Sequence, residues 1–185
     1  GSNVTQWNDL TGNGYHLTNN GTGPTVTTFA GSLKSLNFNP NYGLTCSNVP
    51  LTASLTVFMV IRYNSAIGGS GNFMHHGNRD YDWSLESASS TAIRFQSNND
   101  LANCQLTVAN NVNYVMAGRI SGNTRDFWMY SGATKTTTTV STTGVSVSES
   151  TSKILYVGKS NIGEACNSII AEILYYNSSL PTNII

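Results

Sequence analysis

The densest run of ionisable side chains in this 185-residue chain is Met74–Ser87, MHHGNRDYDWSLES. It gathers His75, His76, Arg79, Asp80, Asp82 and Glu86 in a protein of which only 10% of residues are charged. Three chemistries use such residues. Paired carboxylates cleave glycosidic bonds as acid and nucleophile. Histidines and carboxylates hold metal ions. Planar polar groups beside an aromatic ring orient a small ligand in a cleft.

Spacing decides among them. On a strand, Asp82 and Glu86 share a face at about 13 Å, too far apart for a retaining pair. Asp80 and Asp82 lie two residues apart, roughly 6.5–7 Å. They sit among turn residues with no third carboxylate, so no catalytic residue is assigned. Adjacent strand residues point to opposite faces, so His75 and His76 cannot share one ion. Cys46, Cys104 and Cys166 show no zinc-type spacing. One disulfide with a free thiol, or three buried thiols, both fit the odd count.

The ligand-binding set predicted from this stretch is His76, Arg79, Asp80 and Tyr81, with the amides of Asn98 and Asn99. Tyr15 and His16 join it from the opening loop. Alternation sends Trp83 and Leu85 to one face and Asp82, Ser84 and Glu86 to the other. Trp83 is expected in the core, as are Trp7, Trp128 and Tyr130. Asp9, just before Gly12-Asn13-Gly14, reads as a turn former.

These residues need strands to hold them. SLTVFMVIRYN (Ser54–Asn64) is a continuous apolar, β-branched run, predicted to be a strand buried on both faces. YDWSLES and TAIRFQS (Thr91–Ser97) alternate. NYVMAGRIS and DFWMYSG are joined by GNT, a hairpin turn. KILYVGKS and SIIAEILYYN close the series. The polar run Thr134–Ser152 is read as strand, or else as a long exposed loop. No window shows a helical apolar period, so the prediction is an all-β sandwich.

Nine basic and nine acidic side chains cancel. Such a chain lacks the basic surface that nucleic acid requires, and no apolar run reaches the ~18 residues of a membrane helix. The leading Gly1-Ser2 reads as a cloning remnant on one domain, residues 1–185, of a larger protein.

WNDLTGNGYHLT (Trp7–Thr18), SLNFNPNYGLTC (Ser35–Cys46), VNYVMAGRISGNTRDFWMYSG (Val112–Gly132) and LYVGKSN…NSIIAEILYYNSSL (Leu155–Leu180) stand in one order. In that order they resemble the laminin-G-like, concanavalin A-like jelly-roll domains across nearly the whole chain. Tyr114 and Ser168 depart from the pattern, standing where His and Gly are usual. The resemblance implies a two-sheet antiparallel jelly-roll sandwich. It also implies calcium at the rim, with Asp80 or Asp82 as ligand, carbonyls near Gln96–Asn98 and a side chain among Asn161, Glu164 and Asn167.

The function expected is a non-catalytic carbohydrate-binding or adhesion module, extracellular or on a cell or virion surface. Its partners would be a glycan or glycoprotein and the neighbouring domains of its parent protein, with no nucleic acid and no membrane insertion. A structural protein–protein assembly module is the alternative, and a glycan-cleaving enzyme comes third.

Overall fold

The computed structural model describes residues 2–19, 21–39, 41–65, 71–77, 82–97, 104–141, 147 and 150–185, without the side chains of 151 and 152. Among the described residues every regular element is a strand, and the strands form two antiparallel sheets. One sheet runs, edge to edge, β1 (Gln6–Trp7), β2 (Leu17–Asn19), β5 (Leu44–Leu51), β14 (Ser150–Val157), β7 (Gly71–His76), β8 (Trp83–Ser89), β9 (Ala92–Ser97) and β10 (Gln105–Thr107). The other runs β13 (Thr134–Ser141), β12 (Thr124–Ser131), β11 (Val112–Ser121), β6 (Leu55–Ser65), β15 (Asn167–Tyr176), β4 (Leu33–Phe38) and β3 (Thr25–Phe29). The architecture is an all-β, two-sheet jelly-roll sandwich.

Period-two patterning builds the core. Strand β6 turns Leu55, Val57, Met59, Ile61 and Tyr63 inward, and all five are buried. From the facing sheet come Met74, Trp83, Leu85, Ile93 and Phe95, equally buried. The sheets meet closely at Gly118 of β11, where an added Cβ would lie 2.8 Å from the Phe95 ring. Any side chain there would force the sheets apart.

The sequence predicts burial on both faces of Ser54–Asn64. The structure keeps the strand but buries chiefly one face. Phe58 and Val60 are half-buried and Arg62 is exposed, because they point outward from the seven-stranded sheet. GNT does form a hairpin turn, with β11 and β12 paired from Ser121↔Thr124 onward. Within the polar run, Thr134–Ser141 is the edge strand β13 and Ser150 begins β14, while 142–146 and 148–149 lie outside the described residues.

All three cysteines are free and buried, which settles the thiol question. Burial pushes the Cys166 thiol up to about 12, and the thiolate is the reactive form. The native protein should therefore react slowly with a thiol reagent at pH 8, and denaturant should release three reactive thiols. Fewer than three after unfolding without reductant would reveal a disulfide.

Candidate functional site

In an antiparallel sheet, directly paired residues share a face. Registers across the eight-stranded sheet align Gln6, Thr18, Thr45, Tyr156, His75, Ser84 and Gln96 in one row. A parallel row holds Asn72, Glu86, Arg94 and Gln105. Their neighbours Leu155, His76, Trp83 and Leu85 fill the core, so both rows lie on the sheet's outer face. That face is polar by strand parity alone.

Its centre is nevertheless buried: Asn72, His75, Ser84 and Glu86 are 0% exposed and Gln96 1%. Glu86 organises the block. Its Oε1 accepts from Arg94 Nε at 2.7 Å and from Arg94 Nη2, and its Oε2 accepts from Ser84 Oγ at 3.1 Å. Asn72 donates to Glu164 Oε2 at 3.3 Å. Both amide atoms of Gln96 and the Asn72 Oδ1 have no hydrogen-bond partner. Leaving such groups unpaired costs about 1–3 kcal/mol each, a cost that an enclosed water would relieve.

Beside the block opens a polar cavity of about 300 Å³, with Thr45, Tyr156, Lys159, Ser160 and Asn161 among its lining residues. Tyr156 joins the two. Its ring stacks on His75 with centroids 4.3 Å apart and planes 8° apart. In the row it stands between His75 and Thr45, so its other side turns toward the cavity. The arrangement offers one aromatic face ringed by hydroxyls and an amide.

The structure divides the predicted ligand set. Arg79, Asp80, Tyr81, Asn98 and Asn99 lie outside the described residues. His76 turns into the core, fully buried, opposite in direction to His75. Its Nε2–H donates to the Val49 carbonyl at 3.0 Å, and Nδ1 faces the Tyr175 hydroxyl at 3.4 Å. His76 is a packing residue in this structure, because strand parity gives the outer face to His75. Tyr15 and His16 are exposed in the loop before β2. Asp9 organises that loop, accepting from the Thr11 N–H and hydroxyl and from the Tyr15 N–H. Those bonds, led by the Thr11 hydroxyl, hold its carboxyl below the usual range. The structure thus separates His76 from Tyr15 and His16.

Asp82 is engaged by a cation of the protein's own. Its Oδ2 lies 3.2 Å from Lys153 Nζ, where an ammonium takes the cation's place. An added Cβ on Gly77, whose φ is +72°, would approach the same oxygen to 2.0 Å. Glu164 turns to Asn72, Asn167 bonds Ser65 Oγ at 2.9 Å, and Asn161 lines the cavity. Among the described residues no three His, Cys, Asp or Glu side chains gather around a common point. Asp80, the other aspartate of the calcium expectation, lies outside the described residues.

The sequence pattern singles out neither Tyr156 nor Lys159, and Gln96 enters it only through its backbone carbonyl. The signal was present, since alternation in KILYVGKS places Leu155 and Val157 on one face and Tyr156 on the other.

No family model matches this chain, and no curated protein matches it. Solved structures do. The full-length tailspike protein 2 of an Escherichia coli bacteriophage aligns over 90% of this chain and 26% of its own, with a TM-score of 0.66 at 15% identity. The binding domain of Paraclostridial Mosquitocidal Protein 1 aligns over 95% of this chain and 47% of its own, with a TM-score of 0.68 at 12% identity. Trypanosoma rangeli sialidase in complex with the inhibitor DANA aligns over 99% and 30%, with a TM-score of 0.69 at 11% identity. This chain therefore spans less than half the length of each. At such identities the shared property is the β-sandwich fold.

Two outcomes are expected from this geometry. Asp82→Asn should lower stability by about 1 kcal/mol, since Lys153 is one-third exposed and solvent screens the pair. The loss should be the same with calcium or with chelator; a difference would restore Asp82 as a ligand. His76 gives the second. Burial lowers its pKa to about 4, outweighing the Val49 hydrogen bond, whereas an unfolded histidine titrates near 6.5. Between those values the unfolded chain binds a proton that the folded one refuses. Stability should be full above about pH 6.5 and fall by about 3 kcal/mol toward pH 4. Thermal melts of His76→Gln should show a shallower slope across that window, and an unaltered slope would remove His76 as its source.

Proposed function

We propose that this domain is a non-catalytic carbohydrate-binding module of the laminin-G-like, concanavalin A-like kind, displayed on a cell or virion surface. The observation that supports this reading best is the Tyr156 ring, backed by His75 and turned toward a polar cavity of about 300 Å³. A pyranose presents one apolar C–H face and a rim of hydroxyls. An aromatic face with Thr45, Ser160 and Asn161 around it matches both. The volume is at the small end for ligand sites, suited to one sugar residue at a chain end or branch. Membership of that superfamily rests on the ordered motifs and on the sandwich, and the tailspike and sialidase likenesses are in keeping with a glycan partner.

The arrangement of carboxylates favours binding over cleavage. Asp82 and Glu86 are each held by their own cation, Lys153 and Arg94. Neither is presented as nucleophile or acid to a common point. Asp80, outside the described residues, is the carboxylate whose replacement would test this: Asp80→Asn should leave glycan turnover undetectable, as in the starting protein.

One observation favours a protein–protein role instead. The outer face of the seven-stranded sheet holds an apolar groove of about 330 Å³ lined by Phe58, Val60, Val115, Leu174 and Tyr176. A partner chain would suit that surface.

A glycan array on the purified domain, followed by titration of the best ligand, separates the two readings. Tyr156→Ala should weaken sugar binding by about tenfold or more while the melting temperature stays close to that of the parent protein. Absence of any glycan signal, or binding indifferent to Tyr156, would overturn the lectin reading.

A further inference from the structure

The cavity beside Tyr156 carries one charge, and no described acid lines it. Lys159 is its sole ionisable lining residue apart from Tyr156 itself; Thr45, Ser160 and Asn161 are neutral. Lys159 makes no ion pair among the described residues. Glu164, the acid nearest in sequence, is bound instead by backbone bonds to Ser160 and by the Asn72 amide. The base of Lys159 is fixed. Its backbone bridges to Ala165, and an added Cβ on Gly43 would come within 2.8 Å of the Lys159 Cβ. Its side chain is half-buried against the cavity, so a cation is held in partial shelter with no anion beside it among the described residues.

The chain has few charges to place, nine of each sign. Among the described residues of this sheet the other cations are matched: Arg94 on the outer face with Glu86, and Lys153 with Asp82. Lys159 is the exception, and it stands where the ligand would sit. From this, resting on the glycan reading above, we infer that the cavity selects a sugar bearing an anionic group. The ring would lie on Tyr156 and the acid would meet Lys159 Nζ, while Ser160 and Asn161 bond neighbouring hydroxyls. A carboxylate, as in uronic or sialic acids, and a sulfate ester share the chemistry required: several acceptor oxygens and one or more negative charges.

The test compares charged and neutral forms of one sugar by titration calorimetry. Methyl glucuronide and methyl glucoside 6-sulfate would each be set against methyl glucoside, with the parent protein, Lys159→Gln and Lys159→Arg. The acidic forms should bind about tenfold more tightly than the neutral one at low salt, and the preference should shrink as salt is raised toward about 0.5 M. Lys159→Gln should abolish the preference, bringing charged and neutral forms to equal affinity, and Lys159→Arg should keep it. The two acidic probes then report whether carboxylate or sulfate is favoured. Equal binding of charged and neutral forms, or a preference that survives Lys159→Gln, would overturn the inference and leave the glycan reading standing. No binding of any sugar would remove both. Circular dichroism of each variant confirms the fold before titration.

Discussion

The contact on which the rest of the structure depends is the stack of Trp83 on Tyr175, one ring from each sheet, with centroids 6.0 Å apart and planes 10° apart. His76 meets both rings edge-on and Phe95 tilts against Trp83, so strands β7, β8, β9 and β15 are pinned at one point. Aromatic pairs add about 0.5–1.5 kcal/mol beyond the area they bury. Their larger effect is on register. A slip of one residue would send Trp83 outward and bring Ser84 and Glu86 into the core, at a cost no surface contact could offset. Fixing Trp83 inward therefore also fixes Ser84, Glu86 and, through cross-strand pairing, His75, Gln96 and Tyr156 outward.

The polar face is thus a consequence of core packing as much as of its own hydrogen bonds. Glu86 illustrates the coupling. Arg94 and Ser84 reach it only because β8 and β9 are paired at Glu86↔Arg94, and that pairing follows from the adjacent Leu85↔Phe95 contact. Phe95 in turn seats over Gly118 of the opposite sheet. A change at position 118 would then be felt on the far side of the sandwich, through the strand that presents Arg94 and Gln96. The rigidity of close-packed cores makes such transmission unavoidable.

Strand identity was readable in the sequence, because alternation and apolar runs report directly which face is buried. The opposite directions of His75 and His76, the inward turn of Trp83 and the role of Asp9 were legible for the same reason. Burial on the second face was not. Nothing local distinguishes Ser84 and Glu86, enclosed on the outer face, from residues left in water, since enclosure there depends on segments distant in sequence. The emphasis on charge density in Met74–Ser87 drew attention to Asp82 and away from Tyr156, Lys159 and Gln96, which sit in unremarkable strands and turns. Their proximity is set by the β14–β7–β8–β9 pairing order, which no spacing along the chain displays.

The distribution of ion pairs links these levels to binding. A buried charge is stable where a partner compensates its lost hydration. Arg94 and Lys153 have such partners within the protein: the first pair ties β9 to its neighbour β8, and the second ties β14 to the segment just before β8. Lys159 lies one strand-end away from the same rows, in the turn after β14, with its neighbours uncharged. The first two cations hold the sheet in shape, whereas the third adds little to the fold as it stands. Under the inference drawn above, an anion from outside would supply its counter-charge. The same reasoning applies to the unpaired amide of Gln96, which the sheet positions but does not satisfy. A surface held so firmly by its core, yet incomplete in its polar contacts, is preorganised: little further ordering is needed when a ligand arrives, so more of each new contact appears as affinity.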